Sequence, residues 1–247
     1  MRLVSFTVTE DPIPDPALDS LPPADLRRIA AISRDMHARP QRHVAELERL
    51  TAEYPHIPML FNHLAGALEA AGQRDRAVQI ISETARRFPT YIFAFCNHVM
   101  MLVSQGKIEE ARSLVETGPR GPIFTLVDFD PMRDTFHISE AISHAAMVGH
   151  YMLATGRRGA AEAQLKMLRE SAADSPQYRS LAAAMGRTDD LLELAAALLR
   201  IAAERDRHKV RPTKRARTPR ANRKTSREGG TAEHLVIEDS NPGLFDQ

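Results

Sequence analysis

The chain has 247 residues, 43% of them hydrophobic and 26% charged, with 33 Lys and Arg against 32 Asp and Glu. That length and composition fit a soluble protein of one or two domains with a sizeable core, and no apolar run approaches the ~20 residues that a membrane span needs. A single cysteine, Cys96, excludes an internal disulfide and cysteine-based zinc sites.

In chain order, residues 1–24 read as an extended leader rich in Pro and Asp. Acids and prolines arrive there before any apolar signal core, so a cytoplasmic location is expected. A helical domain is expected over 25–205. Its first recognisable piece, "VAELERLTAEYP", has the spacing of a helix ending at Pro55. Then one pattern occurs twice. Phe61 and Phe95, Leu68 and Leu102, Gly72 and Gly106, and Ala77 and Ala111 are each 34 residues apart, as are Pro55 and Pro89. Between glycine and proline, Ala77, Val78, Ile81, Ala85 and Phe88 recur at three and four, so each unit reads as helix, tight turn, helix.

Phe61, Leu64, Ala65, Leu68, Gly72, Ala77, Ile81 and Pro89 fill in order the pattern of the tetratricopeptide repeat family, which the chain resembles. The clear units are 58–91 and 92–122, although His98 and Val99 depart from the family's Leu-plus-small pair. A degenerate unit over 140–174 places Met152, Gly156, Ala161 and Leu165 fifty residues after the second copy, beyond an insertion at about 118–139. Capping helices follow over 176–206, turning at Gly186 with Thr188 as N-cap. The resemblance implies an all-α fold: a right-handed superhelical stack of helix-turn-helix repeats with disordered N- and C-terminal tails.

It also implies a concave groove lined by the first helices. Helical geometry places Met59, Asn62, His63, Gly66, Phe93, Cys96, Asn97, Met100, Ser143, Ala146 and His150 on that face. Family members that clamp a terminal carboxylate use Lys or Arg there, and this face has none. The expected ligand is an apolar or amphipathic protein segment, with Phe93 and Met100 as contact area and Asn62 and Asn97 as hydrogen-bonding groups.

In the insertion, Asp130 before Pro131 signals a new helix. On that helix Asp134, His137, Glu140 and His144 would form one polar stripe, either a metal site through Glu140 and His144 or a solvated face. No motif fixes the former, and no metal, cofactor or enzymatic activity is expected: the chain has no phosphate loop, nucleophile elbow or two-histidine zinc motif.

Residues 206–230 read as a basic disordered linker. Eleven Lys and Arg against one acid fall within 205–227. Lys209, Arg211, Lys214, Arg215, Arg217, Arg220, Arg223 and Lys224 suit salt-sensitive attraction to nucleic acid, and without interleaved aromatics there is no means of reading bases. In a eukaryote "KRAR" would also read as a nuclear-import signal. Residues 231–247 are an acidic tail carrying the apolar anchors Leu235, Val236, Ile237, Leu244 and Phe245. The functional expectation is a scaffold for a protein or peptide partner. The alternative is a nucleic-acid-associated regulator in which the basic tail dominates.

Overall fold

The computed structural model describes residues 6–36, 38–118 and 121–186. The second half of the capping region, the basic linker and the acidic tail lie outside the described residues, as do all eight cations named for nucleic acid. Among the described residues the protein is mostly helical, with neighbouring helices packed on one another. Strand β1 (Thr7–Thr9) and helix α1 (Pro16–Asp19) lead into α2 (Pro23–Asp35), a short 3-10 turn (Pro40–His43) and α3 (Val44–Glu53). Two hairpins follow: α4 (Pro58–Ala70) with α5 (Arg74–Arg87), and α6 (Ile92–Ser104) with α7 (Ile108–Val115). After α8 (Leu126–Phe129) and β2 (Thr135–His137) come α9 (Ile138–Ala154), α10 (Arg158–Ala172) and α11 (Pro176–Ala184).

The hairpin turns are one device repeated. Gly72, Gly106 and Gly156 have φ of 73°, 71° and 77°, a left-handed conformation that only glycine adopts without strain. In each, the amide after the glycine reaches back over the last helical turn: Gln73 to the Leu68 carbonyl at 2.9 Å, Lys107 to Leu102 at 2.9 Å, and Arg157 to Met152 at 2.8 Å. This is the bond pattern that satisfies the orphan carbonyls of a helix end. The two helices of a hairpin differ in role. α4 buries every residue from Met59 to Leu68, whereas α5 buries only Ala77, Ile81 and Thr84, one stripe of an otherwise solvated helix. Two apolar clusters result, one around α2 to α4 and a larger one from α6 to α11, and Ile80 and Tyr91 pack against both.

Two expectations are corrected. The N-terminal segment is no disordered tail from residue 6 onward: β1 pairs in parallel with β2, Val8 opposite Phe136, and Thr7 donates to the Asp134 carbonyl at 2.8 Å. Nor does Asp130–Pro131 start a helix. The Asp130 carboxylate accepts from the Met132 amide at 3.2 Å in a turn, residues 135–137 are drawn into the ladder, and α9 begins only at Ile138. The start is fixed at His137, whose ring accepts from the Ser139 amide, while Glu140 accepts from the His137 amide at 2.8 Å.

Candidate functional site

The first helices α4, α6 and α9 hold the residues expected to line a groove. Nine of them, Met59, Asn62, His63, Gly66, Phe93, Cys96, Asn97, Ser143 and Ala146, are buried; Met100 and His150 are half-buried. Phe93 retains 3% of its surface and His63 none. Part of the reason is the insertion. Its Ile123, Leu126, Phe129 and Phe136 join the same apolar cluster as Phe93, Cys96 and Ala146, and Phe95 meets Phe129 with ring centroids 5.2 Å apart.

The polar members of this layer fasten neighbouring helices together. Asn97 donates to the Asn62 carbonyl oxygen, linking α6 to α4. His63 Nε2 lies 3.0 Å from Ser33 Oγ, linking α4 to α2. Ser33 Oγ already donates to the Ile29 carbonyl at 3.0 Å, so His63 is the donor of the pair. That polarity is the reverse of what activates a serine, since a general base must accept the hydroxyl proton. His150 Nε2 meets Ser180 Oγ at 3.2 Å, linking α9 to α11. A close approach reinforces the last contact: a Cβ on Gly149 would stand 2.4 Å from Leu181 Cδ2.

Burial sets the chemistry of the titratable groups. It pushes His144 down to about 4, with the Asp128 charge opposing weakly, and His150 down to about 4. His98 is lowered for the same reason. Burial also drives the Cys96 thiol far above its ordinary range, with the Glu140 charge adding to it, so this sulfur is no activated nucleophile. Ser143 Oγ and His144 Nε2 are buried without a hydrogen-bond partner among the described residues.

The polar stripe of the insertion does not form, because Asp134 and His137 precede α9. Glu140 is instead clasped by Arg133, whose two terminal nitrogens donate to its carboxylate at 2.9 and 2.8 Å. The same guanidinium lies 4.5 Å from the Phe136 ring centroid. His144 is buried one turn beyond. Among the described residues no group of three or more His, Cys, Asp or Glu is arranged to hold a metal ion, and no helix is long and apolar enough to cross a membrane.

One surface feature escaped the sequence reading. Phe6, Val8 and Ile13 of the leader and Met132 just before β2 are four of the five exposed large apolar side chains among the described residues. The β-branched alternation of "FTVTE" and the run "TFHI" were the available signals. Compared with known proteins, the chain matches no family model, no curated protein and no solved structure.

Proposed function

We propose that the protein is an interaction scaffold of the tetratricopeptide-repeat kind, a stack of helical hairpins that holds an apolar or amphipathic segment of a protein partner. The observation that supports this most is the recurrence of one glycine-turn geometry at Gly72, Gly106 and Gly156. Side-chain bonds that tie the first helix of each hairpin to a helix packed on it, at Asn62–Asn97, Ser33–His63 and His150–Ser180, add to it. Hairpins of this kind, stacked so that each buries its apolar face on the next, would leave a surface for an extended or helical segment.

On this reading the partner meets Met100 and His150, and the buried first-helix residues hold those two in place. Affinity capture with full-length protein and with Met100→Asp, both nuclease-treated, tests it. A partner recovered by the first and lost by an equally helical second is expected. Equal recovery removes Met100 from the contact surface.

The second reading rests on the eleven cations of 205–227. If about half engage duplex DNA, log affinity should fall against log salt with a slope of roughly −5. Replacing Lys214, Arg215, Arg217 and Arg220 by Gln should lower that slope by roughly 3 to 4. Fluorescence anisotropy with two unrelated duplexes across a salt series measures it, and absence of binding at low salt removes nucleic acid from the account.

A further inference from the structure

The β1–β2 sheet has an open side. The Thr7 amide donates toward β2, to the carbonyl of Asp134 just before it, and because successive residues of a strand turn their backbone groups to opposite sides, the Val8 amide and carbonyl face away from β2. Among the described residues β2 is the only strand beside β1. Phe6 and Val8 lie on the face of Phe136: Phe6 meets that ring edge-on at 5.8 Å and Val8 is its register partner. The covered Phe136 is fully buried, while its covers remain 39% and 41% exposed. An exposed apolar strand edge of this kind is a template for one more strand.

Its surroundings state the charge of what would pair there. Glu10 and Asp11 follow β1, Asp130 and Asp134 precede β2, and none of the four makes an ion pair among the described residues. Arg133, whose guanidinium lies over the Phe136 ring, is already held by Glu140. The matching strand therefore places an apolar residue beside Val8 and positive residues on either side of it.

The chain carries such a segment in "RHKVRP", residues 207–212: Val210 stands between Lys209 and Arg211, and Pro212, which has no amide proton to donate, would end the strand. The tether is long enough. α11 meets α9 at Gly149, which is about 16 Å along that helix from its first residue at β2. The twenty residues from Arg187 to Asp206 reach up to about 66 Å when extended, several times that distance.

We propose that residues 207–211 of the same molecule add to the outer edge of β1 as a third strand, with Val210 beside Val8 and Lys209 and Arg211 against the acidic flanks. Docking withdraws these two cations from any phosphate, so the edge and a nucleic acid compete for one segment. The inference goes beyond the scaffold reading and does not depend on it.

Hydrogen exchange of the Val8 amide in the dilute full-length protein tests the proposal. Val210→Pro should speed that exchange at least about tenfold, whereas Val210→Ile should leave it slow. Lys209→Glu with Arg211→Glu should speed it likewise, and adding Glu10→Lys and Asp11→Lys to that variant should slow it again. Helical circular dichroism checks that each variant is folded. Exchange at Val8 that is indifferent to Val210→Pro overturns the proposal, as does protection that grows with protein concentration, which would mean that the strand comes from a second copy.

Discussion

Phe93 shows how a side chain's role follows from its neighbours. Sequence spacing offers it as a ligand anchor, but at 3% exposure it is a core residue packed with the insertion's apolar side chains. Phe93→Ala should therefore cost about 3–5 kcal/mol of folding stability. Urea unfolding measures this, and a variant of unchanged stability would contradict the packing. His144 and His150 make a second prediction at this scale. Both are held near 4 in the folded chain against 6.5 for a free histidine. The unfolded chain thus takes up protons first as pH falls, and stability that is full above about 6.5 is lost progressively toward 4. The loss should reach on the order of 2 kcal/mol per histidine by pH 5. Urea midpoints at pH 7 and pH 5 read the sum, and His144→Leu should flatten the dependence by about half.

At the scale of the element, the glycine turns separate backbone conformation from packing. A Cβ on Gly106 would meet nothing within 4 Å, so the φ of 71° alone demands glycine there. Gly106→Ala should cost about 1–2 kcal/mol and Gly106→Asn less, because Asn tolerates the left-handed region. Thermal unfolding of the two variants checks the order, and equal losses would point to packing. The turns and hairpins were legible in the sequence because they are local, set by φ at one residue and by bonds spanning six. The start of α9 was not. Asp130–Pro131 carries a correct helix-start signal, but residues 135–137 find a partner in Thr7–Thr9, and that distant pairing moves the helix start to Ile138. The candidate site was legible to the same extent: spacing put Asn62 and Asn97 on one layer, and only the packing of α4 on α6 shows that they bond to each other.

At the scale of the molecule, the β1–β2 pairing closes the chain on itself. Thr7→Pro removes the amide that Asp134 accepts and should cost about 1–2 kcal/mol, with the hairpins unaltered. The loss should appear almost wholly as faster unfolding, since a contact between segments so far apart in sequence forms late. Stopped-flow kinetics in urea would show it, and a folding rate slowed in proportion would place the strand in the nucleus. The same pairing has a consequence during synthesis. Thr135 is polymerised 128 residues after Thr7, roughly 6–25 s later at ordinary elongation rates. Through that interval Phe6 and Val8 have no β2 to cover, and this apolar stretch of the nascent chain is open to any chaperone that meets it.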